Sequence, residues 1–180
     1  KILDIPEYIR KTSANSLRQF AIQVAIRAVP VKNKFLNKNT ASHPEKVAKE
    51  MACQFCNLEN IDLQGVKLKN VDFRYVNFNN ALLQDTNFEG SRLSNAKMKK
   101  ANLHNANFKN SDLRKAFFPK ANLSEAKLIN ADLREAIFHG SNLQNANMEN
   151  TNLEFAEFLG TNLTGAILIN ADLRRTHLSG

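Results

Sequence analysis

From residue 56 onward a large apolar residue recurs at every fifth position, Leu58, Leu63, Leu68, Phe73, Phe78, Leu83, Phe88 and so on to Leu178, through 25 consecutive blocks without insertion. Two residues before each stands a small one, first Cys56, Ile61, Val66, Val71, Val76, Ala81, Thr86 and Ser91, and then almost always Ala. The residue between them and the two that follow are mostly polar, and the last is rich in Asn and Gly. A period of five matches neither the 3.6 of a helix nor the 2.0 of a long strand, so neither element keeps this stripe on one face. The chain must turn every five residues. The small and large apolar residues, two apart, point the same way on a short extended piece, and Asn or Gly suits the tight corner after it. Four such pieces close a square coil of twenty residues. Coils stacked at ~4.8 Å make a rod of just over six turns, about 30 Å long.

Units such as Ala101-Asn102-Leu103, Ala121-Asn122-Leu123, Ala131-Asp132-Leu133-Arg134 and Ala171-Asp172-Leu173-Arg174 resemble those of the pentapeptide-repeat family, over about 125 of the 180 residues. The resemblance implies an all-β solenoid, a right-handed quadrilateral β-helix of about six coils, which serves mostly as an interaction surface. The family's best-known activity, inhibition of a type II topoisomerase by mimicry of DNA, implies a markedly acidic rod. The charge here argues against that role. Residues 51–180 carry fifteen Lys and Arg against thirteen Asp and Glu, whereas residues 1–50 carry ten against four.

That imbalance divides the chain into a basic helical N-terminal segment with a linker, 1–50, and the β-helix, 51–180. Apolar residues from Leu17 to Val29 recur at three- and four-residue spacing behind Ser13 or Ser16 as N-cap, and Pro30 ends the helix. Pro44 opens a second short helix that feeds the first coil near Met51. Both are read as an α-helical cap over the open end of the solenoid, since solenoid ends need covers; contact of the basic helix with a membrane surface is the less favoured alternative. No apolar run is long enough to span a membrane.

Polar chemistry is sparse. The inward positions are filled, so no substrate cavity is expected, and His43, His104, His139 and His177 do not cluster. Cys53-Gln54-Phe55-Cys56 puts both cysteines on inward registers, and they are read as buried structural residues; only two cysteines favour a reducing, cytoplasmic compartment. Asp72, Asp112, Asp132 and Asp172, each followed two residues on by an Arg, read as a charge ladder between coils. The expectation is no catalysis, no metal and no cofactor.

Apolar residues at outward positions are the informative exceptions. Phe117, Pro119, Ile137 and Leu159 fall on one face in successive coils and are expected to form one contiguous patch, while Ile129, Ile167 and Ile169 mark a second face. Arg92, Lys97, Lys99, Lys100, Lys109, Arg114, Lys115 and Lys120 form a basic belt with the single acid Asp112 among them. Spread around four faces with few aromatics between, the belt disfavours nucleic acid as the partner. The far end of the rod, through Leu163, Leu168, Leu173 and Leu178, carries its period at full strength, so its open coil is expected to be covered by a second copy in a two-fold dimer or by further chain. The functional expectation is a non-enzymatic scaffold that binds another protein through the faces of a rigid rod. The alternative is a targeting or substrate-recognition module of a longer effector or enzyme.

Overall fold

A computed structural model describes residues 53–179. The helical cap and linker expected over 1–50, with His43, lie outside the described residues.

Each block supplies one parallel bridge, and its partner always lies twenty residues on: Asn57 with Asn77, Asp62 with Leu82, Lys67 with Asn87 and Asp72 with Arg92, repeated to Glu157 with His177. Four blocks therefore make one coil. We name its sides after their opening blocks: the first side is 56–60, the second 61–65, the third 66–70 and the fourth 71–75, each recurring every twenty residues. The sides are single-bridge steps, too short to count as strands.

Three backbone bonds tie each side to the next coil. On the second side the Leu123 N–H donates to Asn142 O (2.7 Å), the Glu125 N–H to Gln144 O (2.9 Å) and the Asn142 N–H to Ala121 O (2.9 Å). A fourth bond closes the corner, as from the Ala126 N–H to Leu123 O (3.0 Å). All 25 corner residues from Phe55 to Arg175 have positive φ, between 52° and 71°. That sign at the second central residue is the type II turn, which explains why fifteen of them are Asn or Gly. Gly90 and Gly165 are the tightest cases, because a Cβ there would run into Asn70 Oδ1 and Asn145 Oδ1, respectively, from the coil before.

The large apolar residues form four columns inside the coil. The first-side column stacks Phe118 on Phe138 and Phe138 on Phe158, with ring centroids 4.9 Å apart at each step. Phe88 stacks on Phe108 in the third-side column, and Phe73, Phe78 and Phe88 meet edge-on or tilted. Ala at the small position leaves room for them, and its side chain is buried throughout 81–156. Where a hydroxyl takes that position it generally bonds a carbonyl, as Thr86 Oγ1 does to Leu63 O (2.8 Å) and Ser91 Oγ to Leu68 O (2.6 Å); Ser141 Oγ is the exception, buried without a partner.

Two ends differ from the middle. Cys53 and Cys56 are buried as their register requires, but they are not free thiols. They form a disulfide across the turn at Phe55, with Cα atoms 5.3 Å apart. The spacing of one turn brings their Cβ atoms within bonding reach. At the other end Leu163 and Leu168 are half-buried, while Leu173 and Leu178 are 37% and 54% exposed because no further described coil lies on them.

Candidate interaction site

The outward residue between the small and large apolar ones has a structural task. At fifteen of its 25 occurrences it is Asn or Asp, and in every one of these the side-chain oxygen accepts the N–H two residues on, as Asn77 does from Asn79 (3.1 Å) and Asn152 from Glu154 (3.0 Å). This is an Asx turn, and it pre-sets the corner that follows. Asn residues also bond one another between coils: on the second side Asn122 donates to Asn102 (3.3 Å), Asn142 to Asn122 (3.2 Å) and Asn162 to Asn142 (3.3 Å).

The ten departures from Asn or Asp are not evenly spread. Five fall in five consecutive coils of the first side, at Lys97, Phe117, Ile137, Glu157 and His177. Phe117 bridges Ile137 directly, and its turn carries Pro119, which has no N–H for an Asx side chain to cap. Phe117 is 38% exposed and Leu159 55%, with Ile137 and Pro119 half-buried beside them. The expected single patch is interrupted: His139 Nε2 lies within hydrogen-bond reach of Glu157 Oε2 (2.8 Å), at the level between Ile137 and Leu159. Phe117, Pro119 and Ile137 are contiguous, and Leu159 stands across that pair. On the third side Ile167 and Ile169 are exposed neighbours, but Ile129 is half-buried and separated from Ile169 by Glu149, one coil between them, so these three do not form one surface.

Ion pairs sort the basic belt. Arg92 pairs with Asp72 (2.6 Å), Arg114 with Asp112 (2.8 Å) and Lys115 with Glu135 (3.3 Å), all on the fourth side or its corner. Lys97, Lys99, Lys100, Lys109 and Lys120 have no ion-pair partner among the described residues, and all five are exposed. Four of them, all but Lys109, lie on the first side or its corner. The belt is spread around the rod in sequence, but its unpaired charge is gathered beside Phe117 and Pro119.

The fourth side is self-satisfied. Burial alone would raise the Asp72 carboxyl, but hydrogen bonds from Arg74 (2.8 Å), Arg92 (2.6 Å), the Arg74 N–H and Gln54 (2.7 Å) outweigh it and hold it well below the usual carboxylate range. Asp112 is lowered in the same way, burial opposing and Arg114 prevailing, and Asp172 is lowered by its bonds from Arg174. Arg114 also reaches Asp132 in the next coil (3.7 Å). An open groove of about 390 Å³ beside Tyr75 is bordered by Arg114, Lys115 and Arg134, but each of these cations already has its carboxylate. Phe55 stacks on Tyr75 (4.7 Å) along the same corner column, and Arg175 lies over Phe155 (5.1 Å).

His104 bonds Ser124 on the second side (3.0 Å), His139 pairs with Glu157, and His177 bridges Glu157 in the last coil. Among the described residues no three of His, Cys, Asp and Glu are placed to hold one metal ion.

The family model described as pentapeptide repeats matches in eight copies over 101–140, 118–154 and 141–180, and one described as a pentapeptide repeat region matches 51–118. Among solved structures the chain is similar to HetL, a pentapeptide repeat protein involved in heterocyst differentiation regulation from the cyanobacterium Nostoc sp. strain PCC 7120, at 27% identity and TM-score 0.31. That match covers 69% of this chain and 65% of HetL, so the chain spans just under two thirds of HetL's length. It is also similar to QnrB1, a plasmid-mediated fluoroquinolone resistance protein, at 23% identity and TM-score 0.45, covering 69% of this chain and 70% of that one. A pentapeptide repeat protein from the thylakoid lumen of Arabidopsis thaliana matches at 32% identity and TM-score 0.30, over 54% of this chain and 67% of that one. No curated protein sequence matches the chain. The two family models together run from residue 51 to 180, over the same blocks that close the four-sided coil, and this chain belongs to the pentapeptide-repeat family, whose members are right-handed quadrilateral β-helices.

Proposed function

We propose that the chain is a non-enzymatic scaffold that binds another protein, and that the first side of the rod is the binding surface. One observation carries this reading: five consecutive coils of that side give up the Asx residue that closes the turn, and two of them place Phe117 and Ile137 outward instead. Asn at position 137 would cap the His139 N–H as its counterparts do elsewhere, so Ile137 is the less stable choice for the rod alone. A residue that costs local stability and exposes apolar surface is what a binding side requires. The packed interior supports the same reading, since it leaves the outside as the place for function.

The test uses two substitutions and two readouts. Ile137→Asn should raise thermal stability, by about 0.5–1 kcal/mol if its side chain accepts the His139 N–H, and should weaken capture of the partner from native extract. Phe117→Asp should abolish capture and leave the unfolding transition within about 0.5 kcal/mol of wild type, because the side chain lies outside the core. Capture unaffected by both, yet lost on substituting the second or third side, would place the binding surface elsewhere. An unfolding transition lowered by Phe117→Asp would mean that this face is covered by the chain's own N-terminal segment.

A further inference from the structure

We infer that the first side takes an acidic segment of a partner protein, one that presents carboxylates next to apolar side chains. This deepens the scaffold reading and rests on it. Lys97, Lys99 and Lys100 share one coil, and in the next coil Phe117, Pro119 and Lys120 stack over them in that order, so Phe117 and Pro119 are flanked by lysines of their own and the preceding coil. All four ammonium groups lack a carboxylate among the described residues, whereas the belt's cations on the fourth side have theirs. Beyond Phe117 the side continues as Ile137, the His139–Glu157 pair and Leu159.

The rim is cleared along the same side. The corner column runs Lys100, Lys120, Gly140, Gly160, so past Lys120 two successive corners carry no side chain. A Cβ at Gly160 would meet nothing, and one at Gly140 would meet only the Lys120 stem, at 3.7 Å. A segment lying along the rod can therefore set acidic residues against the lysines and apolar residues against Phe117, Pro119 and Ile137. Coil spacing of ~4.8 Å is close to the ~5.4 Å rise of a helical turn, so successive turns of a bound helix keep pace with successive coils.

Charge decides between occupants. Residues 1–50 of this chain carry ten Lys and Arg against four Asp and Glu and would be repelled by the four lysines. A second copy laid on the same side would offer the four lysines of each copy only Glu59 and Glu157 as first-side carboxylates, and these already bond Asn77 and Asn80, and His139. A phosphate backbone or an anionic bilayer offers uniform negative charge, and the ordered sequence of cations, apolar residues and an acid-containing pair asks for a ligand of fixed register, which a polypeptide supplies.

The experiment pans a displayed library of random peptides on the purified 180-residue chain, with phosphatidylserine vesicles and a short DNA duplex as parallel probes. Enriched peptides should combine Asp or Glu with apolar residues, bind more weakly as salt is raised, and lose about tenfold or more in affinity to Lys97→Glu/Lys99→Glu and to Phe117→Asp. They should bind the third-side variant Lys109→Glu as they bind wild type. Lys97→Gln/Lys99→Gln, a milder change, serves if charge reversal impairs folding. Enriched peptides that bind the first side but lack acids would overturn the inference and leave the scaffold reading standing, whereas binding that maps to another side would overturn both the inference and the assignment of the first side. Binding of vesicles or duplex lost in the Lys97→Glu/Lys99→Glu variant, with no acidic peptide enriched, would replace the protein partner by a membrane or a nucleic acid. No enriched peptide and no bound probe would count against both readings.

Discussion

Asn and Asp do two jobs in this rod, and their positions within a block separate them. As the residue before the large apolar one they cap the turn through the side chain; as the last residue they sit at positive φ, which Asn tolerates better than longer side chains. Ten corners instead hold residues such as Glu125, Lys115 and Arg175, at φ of 60°, 58° and 57°. A left-handed conformation costs such a residue roughly 1 kcal/mol relative to Gly. Glu125→Gly should therefore raise the thermal transition by about 2–4 °C, less whatever the glycine adds to the freedom of the unfolded chain. A lowered transition would show that the corner conformations are not what limits stability here. Corner and core positions were both legible in the sequence, because each is a strict function of register. The disulfide was not: register buries Cys53 and Cys56 alike whether or not they are bonded, and only the turn geometry brings them together.

Among the elements, the fourth side holds the densest ion pairing, and Asp72 is its hub. Because the folded protein depresses this carboxyl, its stabilisation is fully present above the unfolded-state value of about 4 and is lost as pH falls towards the folded one. Asp72→Asn should thus be less stable than wild type at neutral pH, by about 1–3 kcal/mol. The gap should narrow as pH drops below about 4. Chemical denaturation of both proteins across that range measures it; a gap independent of pH would remove the carboxylate charge from the explanation. The Asp and Arg recurrence at multiples of twenty already placed these groups on one side. What the sequence could not rank was the lysines, since a belt spread over four sides looks diffuse until each cation is matched with its carboxylate. Arg92, Arg114 and Lys115 find partners one coil away or within their own turn; Lys97, Lys99, Lys100 and Lys120 are left on the first side and, of the belt, Lys109 alone on the third. The contiguous patch was legible only in part for a related reason: His139 and Glu157 are polar residues in the same two columns, and their pairing splits Leu159 from Ile137.

For the molecule as a whole, the rod's last described coil leaves Leu173 and Leu178 exposed and the N–H groups of Leu163, Leu168 and Leu173 without a coil to bond. An open edge of this kind is a template for further pairing, and we propose that a second copy covers it when the 180-residue chain is studied alone. Light scattering over a range of concentrations should give twice the monomer mass, reduced to the monomer by Leu173→Glu with Leu178→Glu. A wild-type monomer at high concentration, with the double variant unchanged, would reject the end-to-end dimer.

The central claim is that one of four chemically distinct sides does the binding. It is tested most directly by a photo-crosslinking amino acid placed in turn at Phe117 on the first side, Gln144 on the second, Lys109 on the third and Lys115 at the corner of the fourth, all exposed positions. Irradiation in native extract should give a discrete covalent adduct with a partner protein from position 117 and none from the other three. The same adduct from every side, or adducts from 144, 109 or 115 with none from 117, would contradict it.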